Sequence, residues 1–423
     1  MFHGFGKPCR SVEAETVRPD EGVTGMMCRV MRKYGLAVLS AIVLVVQGCA
    51  APKKAEKPAA IFYPDPPDLP RVQFLTSYSG AKDLEPPKSG FDVFITGEKE
   101  SQKRLDKPYG IAVHKGKIYV CDTNQTVMVL DLDRKVYGPL KGAQGAGKLL
   151  QPFNISIDSE GNKYIADTIR KQVIVFDKDD RYAKTFGSPE RWKPVDAVAY
   201  EDRLYVADIK NGEVFVLDKA TGETIKRFGQ QGEPGERLYL PTNLAFGSDG
   251  LLYVSDSGKF QVYKFDRDGH FRGTIGRHGS EPGAFARPRG VAIDKDNRLF
   301  VVDAAFDNIQ IYLSEGQLLL FFGKASIAPG GMNLPAKVVI DYDHRKYFEQ
   351  FVDPTFEAEY LLFVTNQFGL RMVNVYAVGK QKGQTYPKEG EIIEKLMEQF
   401  RKEQAEKPAG KEEDREGDPV PDR

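Results

Sequence analysis

The sequence lacks most of the features that mark an enzyme's active site. Its 423 residues include one tryptophan, four cysteines and five histidines, and the histidines do not have the spacing of a zinc site. The 60 lysines and arginines balance 60 aspartates and glutamates, so the basic excess typical of a nucleic-acid-binding domain is missing. No G-x-S-x-G, P-loop or dinucleotide-binding motif stands in a strand-turn-helix context. The sequence therefore predicts no nucleic-acid partner and contains no catalytic motif.

Residues that form short strands and tight turns are plentiful. The chain has 41 glycines and 26 prolines, together with 26 phenylalanines and 19 tyrosines. Hydrophobic residues make up 41% and charged residues 28%, which are ordinary values for a globular protein. Because aromatic residues favour strands while glycine and proline favour turns, the composition predicts a folded, β-rich chain.

A short apolar run lies near the N-terminus. Leu36–Val46 contains 11 residues, whereas a membrane-spanning helix needs about 20. The run follows Arg32 and Lys33 and ends in Val-Gln-Gly-Cys at Cys49, which resembles the lipobox of bacterial lipoproteins. The resemblance implies that residues 1–48 are an upstream extension and a signal peptide that is removed, and that Cys49 carries lipid such as palmitate.

The same resemblance predicts a location. It implies a lipid-anchored protein of the bacterial cell envelope, in contact with the membrane through its N-terminal lipid. Ala50 rather than an aspartate follows the cysteine, which favours the outer membrane over the inner one. Translation then starts at Met26, Met27 or Met31, and residues 49–70 form a lipidated tether.

The positions of the cysteines agree with this predicted location. Cys9 and Cys28 leave with residues 1–48, so Cys121 is the one cysteine left in the folded part and no internal disulfide is predicted. No C-x-x-C-H motif is present, which excludes a covalently attached c-type haem. Cys121 is expected to be a small buried residue.

Six copies of one pattern follow the tether. Each copy opens with a proline and a short strand, and continues to a second strand that ends in Tyr-Val-x-Asp or a close variant. The prolines are Pro108, Pro152, Pro194, Pro241, Pro288 and Pro335, spaced by 44, 42, 47, 47 and 47 residues. A period of this length indicates a repeat architecture.

Each copy has the strands of one propeller blade. In the fourth, we predict strands over Thr242–Phe246, Leu251–Ser255, Gln261–Phe265 and Phe271–Ile275. A four-stranded antiparallel sheet cannot bury both faces alone, so six of them are expected to pack around an axis. The sequence predicts an all-β, six-bladed β-propeller over residues 71–382.

The connectors between the later copies carry a family resemblance. Phe228–Gly235 and Ile275–Gly283 read F-G-x-x-G-x-P-G and I-G-x-x-G-x-x-P-G, and they are similar to the blade connectors of NHL-repeat propellers. The strand-turn-strand pattern is similar too, and together the similarities cover about residues 91–380. The chain resembles a six-bladed, NHL-repeat bacterial lipoprotein.

The sixth copy lacks a fourth strand after Met372–Val378, so the N-terminal part must supply it. Phe91–Thr96 starts 17 residues before Pro108, and Phe271 stands 17 residues before Pro288. This spacing predicts that Phe91–Thr96 closes the ring, with Arg71–Ser77 as another strand nearby.

Two further segments stand out. The sixth copy has about 16 extra residues between its first two strands. This aromatic insertion is predicted to pack on the propeller as a lid or plug, or alternatively to bind a partner.

Within the tail, residues 383–423, Glu391–Phe400 has an amphipathic helical pattern, with Ile392, Ile393, Leu396, Met397 and Phe400 on one face. The charged remainder is expected to be disordered.

The third residue of each copy is predicted to lie near the mouth of the central channel. Around the ring these residues are Gly110, Asn154, Asp196, Asn243, Gly290 and Lys337. Asn154, Asp196 and Asn243 resemble metal ligands of gluconolactonase-like hydrolases, where the metal polarises a lactone carbonyl. The resemblance implies a possible Ca²⁺ site; alternatively, these side chains cap their strands.

Charged residues on the turns allow two interpretations. Asp122, Asp167, Asp208, Asp256 and Asp303 recur at one position of the first five copies, which predicts a structural role in the turns rather than chemistry. Arg277, His278, Arg287 and Arg289 concentrate positive charge on the connector before the fifth blade, which suggests either a partner-binding surface or a solvated loop.

The functional prediction follows from the predicted fold and the predicted cellular location. We predict a lipid-anchored, non-catalytic envelope propeller that binds or scaffolds a protein or glycan partner. The alternative is a metal-dependent lactonase-like hydrolase with its site at the channel mouth. A third possibility is a structural member of an envelope assembly that docks through its tail helix.

Overall fold

The structure is a computed structural model that describes residues 59–87, 89, 93–95, 103–387, 390, 391, 394 and 398. Its strands lie in the compact unit that begins at Ala60. Four short 3-10 helices accompany the strands within these residues, at Ala81–Asp83, Gly145–Gly147, Arg345–Tyr347 and Glu349–Phe351.

The strands form six antiparallel sheets, one for each sequence copy. Blade one contains β3 (Pro108–His114), β4 (Lys117–Asp122), β5 (Val127–Asp131) and β6 (Val136–Pro139). Blade two contains β7 (Pro152–Ile157), β8 (Lys163–Asp167), β9 (Gln172–Phe176) and β10 (Tyr182–Phe186). Blade three contains β11 (Pro194–Tyr200), β12 (Arg203–Asp208), β13 (Glu213–Asp218) and β14 (Thr224–Phe228).

The remaining blades follow the same order except at the end of the ring. Blade four contains β15 (Pro241–Phe246), β16 (Leu252–Asp256), β17 (Gln261–Phe265) and β18 (Phe271–Ile275). Blade five contains β19 (Pro288–Ile293), β20 (Leu299–Asp303), β21 (Asn308–Tyr312) and β22 (Leu318–Phe322). Blade six contains β23 (Pro335–Asp341), β24 (Phe356–Asn366), β25 (Val373–Gln381), β2 (Val72–Tyr78) and β1 (Ile61–Tyr63).

The six sheets form a closed ring. The first strands of successive blades contact one another in order, and β23 of blade six contacts β3 of blade one. The predicted six-bladed β-propeller is therefore confirmed, including its closure by an N-terminal strand. Each cluster of core side chains lies between two blades; Cys121 of blade one, for example, packs with Ile165 and Ile174 of blade two.

The recurring aspartates hold the turns of blades one to five. The Asp167 carboxylate accepts N–H groups from Leu150 (2.6 Å) and Gln151 (3.1 Å) before the first strand. It also accepts those of Ile169 (3.1 Å) and Arg170 (2.9 Å) in the hairpin after the second strand. Asp256 and Asp303 make the same set of bonds, which confirms the predicted structural role.

The prediction that Phe91–Thr96 completes blade six is wrong. β2 (Val72–Tyr78) pairs with β25 instead, from Val72 opposite Val378 to Tyr78 opposite Val373. Val93–Ile95 is helical, and Phe94 and Ile95 are 85% and 68% exposed. β2 has apolar side chains for both faces of the sheet: Val72 packs between blades five and six, and Leu75 packs between blades six and one.

The sheet also begins earlier than expected. β1 lies within residues 49–70, where the sequence predicts a tether, and it adds a fifth strand outside β2. Tyr63 at its end donates a hydrogen bond to the Gly330 carbonyl (3.1 Å), in the connector before blade six. The predicted lipidation site Cys49 lies outside the described residues.

The insertion of blade six packs on the propeller. Phe348 and Phe356 are buried in the core between blades six and one. The Tyr347 hydroxyl donates to the Asp133 carboxylate of blade one (2.7 Å), and Gln73 of β2 donates to the Phe351 carbonyl (3.0 Å). The insertion thus ties the last blade to the first and to the closing strand, as the lid-or-plug interpretation predicts.

Most of the predicted tail helix lies outside the described residues. Of this segment the structure describes Glu391, Glu394 and Glu398, which are helical and exposed, as is the preceding Gly390. No helix within the described part of the chain is long and apolar enough to cross a membrane.

Candidate functional site

The strand order gives the propeller two different faces. The segments that join successive blades lie at the end of the ring where the first strands begin, together with the hairpins between second and third strands. We call this end the connector face. Each first strand has a register shift directly after its proline, so every blade presents a bulge there. Such bulges redirect side chains, here those of the third residue of each copy.

A buried carboxylate lies at the centre of the ring. Asp196 of blade three accepts hydrogen bonds from its neighbour Ala197 N–H (2.9 Å) and from Leu244 N–H of blade four (3.0 Å). The Asn243 amide donates to the same carboxylate (3.4 Å). Asn154 of blade two donates its amide to the Val195 carbonyl (2.9 Å), next to Asp196. The structure therefore brings Asn154, Asp196 and Asn243 together, on three consecutive blades.

A lysine from the opposite side of the ring pairs with this carboxylate. The ammonium of Lys337, on the first strand of blade six, lies 2.9 Å from Asp196 Oδ2. Blades three and six are opposite each other in a ring of six, so the Lys337 side chain crosses the channel. Both side chains are buried, so water screens the attraction between the two charges less than at the surface, although each charge has also lost its hydration.

The first strands approach closely where the third residue is glycine. A Cβ atom added to Gly110 would lie 2.5 Å from the Asn154 Cα, and one added to Gly290 would lie 2.5 Å from the Lys337 Cα. Both separations are impossible for real atoms, so these positions require glycine. The two glycines bring the first strands of blades one and five against those that carry Asn154 and Lys337.

A second layer covers the ion pair at the connector face. Tyr109 packs on Phe153 with ring centroids 3.9 Å apart, and the Arg289 guanidinium lies 5.6 Å from the Tyr109 ring centre. Arg289 also donates to Gln367 Oε1 (2.8 Å). Burial raises the pKa of Tyr109 to about 12 and lowers the pKa of Arg289. This layer places an aromatic pair and a cation between the Lys337–Asp196 pair and the connector face.

One of the three predicted metal ligands, Asp196, is already bound by the Lys337 ammonium group. Asn154 Oδ1 and Asn243 Oδ1 are buried oxygens without a hydrogen-bond donor, as a cation site would require. However, the Asp196 oxygen that Ca²⁺ would bind already accepts the Lys337 ammonium. Among the described residues, no group of three or more His, Cys, Asp or Glu side chains could hold a metal ion. We therefore derive no catalytic step through a metal.

The connector face carries exposed apolar side chains. Ile327, Phe368 and Leu370 are 77%, 55% and 63% exposed, and we call these three residues the blade-six patch. Ile327 lies on the connector before blade six, and its carbonyl accepts a hydrogen bond from the Arg371 guanidinium (2.6 Å). Phe368 and Leu370 lie on the hairpin that contains Arg371. Backbone bonds from the Gln367 N–H to the Leu334 carbonyl (3.2 Å) and from the Phe368 N–H to the Asn333 carbonyl (3.4 Å) also join the two loops of the patch.

The basic residues of the connector before blade five lie on the same face. Arg277 is exposed and paired with Glu281 (2.8 Å), and His278 packs on Phe260 with ring centroids 4.3 Å apart. Arg287 is exposed, with its backbone N–H held by Asp303 (3.1 Å). Arg289 is turned inward over the channel. The structure therefore divides the predicted group into three surface side chains and one that covers the ion pair.

Comparison with known protein families agrees with the fold. The family DUF5128, described as a six-bladed β-propeller, matches residues 241–320, which span blades four and five. Protein brain tumor of Drosophila melanogaster is 24% identical over 130 residues. That match covers 29% of this chain, and the chain spans 12% of the length of the relative.

Solved structures resemble this chain in the same way. An auxiliary nutrient binding protein from Bacteroides thetaiotaomicron VPI-5482 has a TM-score of 0.52 at 12% identity, over 73% of this chain and 77% of that one. A protein of unknown function from the same bacterium has a TM-score of 0.51 at 16% identity, over 73% of this chain and 76% of that one. At these identities the similarity shows the propeller fold alone.

The ion pair across the channel is the feature that sequence reasoning missed. Lys337 appears in the list of channel residues, but nothing within its own copy predicts a partner. One feature of the sequence does indicate the ion pair: Lys337 and Asp196 carry opposite charges at the same position of copies that are three repeats apart. In a closed ring of six, such positions face each other.

Proposed function

We propose that this protein is a non-catalytic binding module that holds a protein partner on its connector face. The blade-six patch is the observation that carries the proposal. Three large apolar side chains on two hydrogen-bonded loops offer a preorganised apolar surface, which is typical of interaction sites. Arg277 and Arg287 on the same face are suited to the polar rim of such an interface.

The channel supports the non-catalytic part of this proposal. Asp196 is buried, ion-paired and hydrogen-bonded, which suits a structural role better than proton transfer. Metal-dependent hydrolysis at the channel remains the second candidate, since the unpartnered oxygens of Asn154 and Asn243 favour a cation there. The Lys337 ammonium opposes it, because a metal ion would have to displace that charge from Asp196.

The patch can be tested by crosslinking in cells. We expect a photo-reactive amino acid at Leu370 to give a discrete adduct with one protein. Phe368→Asp should reduce the amount of that adduct at least tenfold, because apolar anchors in the centre of an interface carry most of its binding energy. The matched control places the same probe at Ile225, which is 49% exposed on the outer strand of blade three. Equal adducts at both positions, or an adduct that Phe368→Asp leaves unchanged, would contradict the proposal.

We further propose that the module is a lipid-anchored protein of the bacterial envelope, with NHL-type repeats. The support is the apolar run Leu36–Val46 with the lipobox-like Val-Gln-Gly-Cys sequence at its end, together with the connector pattern of blades three to five. The placement of the lipid in the outer membrane rests on Ala50.

Lipidation has a direct readout. Cys49→Ser is expected to abolish incorporation of an alkyne-labelled palmitate and to release the protein from the membrane fraction. The substitution removes the sulfur that would carry the predicted lipid, and buried acyl chains supply the affinity for the membrane. Cys121→Ser is the control, since the Cys121 thiol is buried and its burial raises its pKa well above the usual value. Label retained in the Cys49 variant would exclude this residue as the anchor.

A further inference from the structure

A large groove runs along the outer rim between blades five and six. Its volume is about 1170 Å³, and its walls include β22 of blade five, the chain after β1, and the end of β25. Leu319, Leu320 and Phe321 of β22 lie along one wall. The groove does not include any residue of the blade-six patch.

The wall formed by β22 is unusually apolar for an outer strand. β22 reads Leu-Leu-Leu-Phe-Phe, whereas β14 in blade three contains Lys226 and Arg227. Outer strands of soluble proteins normally carry charges, which prevent unwanted contacts at the sheet edge. Phe321 is nevertheless 48% exposed. An apolar edge of this kind indicates a surface that another segment covers.

The chain itself leads into this groove. Tyr386 and Pro387 belong to its lining. The Tyr386 hydroxyl donates to the Pro70 carbonyl (2.6 Å), and the Arg71 guanidinium lies 4.2 Å from the centre of its ring. The C-terminal segment is thus fixed at the groove, and Glu391 follows only four residues after Pro387. Four residues span at most about 14 Å, so Glu391, which is helical together with Gly390, lies beside the groove.

The helical residues that follow have one polar face. Glu391, Glu394 and Glu398 are helical and exposed, and at 3.6 residues per turn they lie on the same side of a helix. The apolar residues of the segment occupy positions on the opposite side; they are Ile392, Ile393, Leu396, Met397 and Phe400. An amphipathic helix with this pattern is stabilised when another surface covers its apolar side.

We propose that residues 390–400 are the occupant of the groove, with their apolar side on β22. The position of Pro387, the exposed glutamates and the apolar wall at Phe321 all support this arrangement. It brings an apolar helix face and an apolar sheet edge together within one chain, and it leaves the blade-six patch free for a partner. The proposal does not depend on the function proposed for the connector face.

Hydrogen exchange on the full chain from Ala50 tests this docking. We expect Phe321→Glu to speed amide exchange in residues 390–400 at least tenfold, because a buried charge would weaken the contact that protects the helix. In the reciprocal experiment, the double substitution Leu396→Glu and Met397→Glu should speed exchange in β22. Ile225→Glu is the matched control, since Ile225 is 49% exposed on the corresponding strand of blade three and Phe321 is 48% exposed on β22.

Two results would overturn the proposal. The first is unchanged exchange in residues 390–400 when Phe321 is replaced by glutamate. The second is unchanged exchange in β22 when Leu396 and Met397 are both replaced by glutamate. If, in addition, Phe321→Glu weakens the binding of the unlipidated chain to phosphatidylglycerol vesicles, the groove is a membrane-facing surface instead. Crosslinking at Leu370 reports on the connector face separately, so failure of one proposal is distinguishable from failure of the other.

Discussion

A chain that begins at Ser79 is expected to show no cooperative unfolding transition. It lacks β2, which supplies the outer strand partner of β25 and buries Val72, Leu75 and Tyr78 against two neighbouring blades. Without β2, blade six exposes a nine-residue strand edge and both adjoining cores open. Within the intact chain, Leu75→Ala alone should lower the free energy of unfolding by about 2–5 kcal/mol, the usual cost of a large cavity.

The control for this prediction separates the two possible closing strands. The double substitution Phe94→Asp and Ile95→Asp should change the free energy of unfolding by less than about 1 kcal/mol, because both side chains are exposed. Urea titration followed by circular dichroism measures each variant. A large loss of stability in the Phe94/Ile95 variant, with little loss in Leu75→Ala, would show that residues 91–96 close the ring.

Breaking the ion pair across the channel is expected to have the second large effect. Lys337→Met leaves the buried Asp196 carboxylate with its N–H donors but without a counter-charge, which should cost about 3–5 kcal/mol. Asp196→Leu should cost at least as much, because among the described residues Asp196 is the acceptor that Lys337 contacts. Equilibrium unfolding in urea gives both values.

The double variant tests whether the two effects have one cause. Asp196→Leu combined with Lys337→Met removes both charges, and apolar replacement of a buried ion pair is often neutral. We expect the double variant to be more stable than either single variant, with a coupling energy of about 2 kcal/mol or more. Additive losses would show that the two residues act independently, and the crossing of the channel would then have no energetic role.

The repeat pattern made the blades predictable because each blade is largely specified within its own copy. Asp167 bonds to residues at most 17 positions away, on the connector before it and the hairpin after it. The prolines and the Tyr-Val-x-Asp pattern mark these local contacts, so strand order and blade number follow from them. The same reasoning placed Asn154, Asp196 and Asn243 at the channel.

The closing strand was not predictable by the same reasoning. Phe91–Thr96 and Val72–Tyr78 are both short β-prone segments, and only Phe91–Thr96 has the spacing of a fourth strand. The spacing from Phe91 to Pro108 gave a wrong prediction because the true closing strand is not joined to blade one by a connector of the usual length. Its partner β25 is some 300 residues away in the sequence. β2 is the closing strand because it carries apolar side chains for two different cores, one on each face of the sheet.

The sequence by itself therefore determined the repeat unit, the number of blades, the structural aspartates and the positions that line the channel. Only the tertiary structure decided which segment closes the ring, that Lys337 reaches Asp196 across it, and that Arg289 turns inward over Tyr109. The physical reason is the range of the interactions. Turns and hairpins are stabilised by neighbours in the chain, whereas the closing strand and the channel layers depend on residues that become neighbours only when the ring is complete.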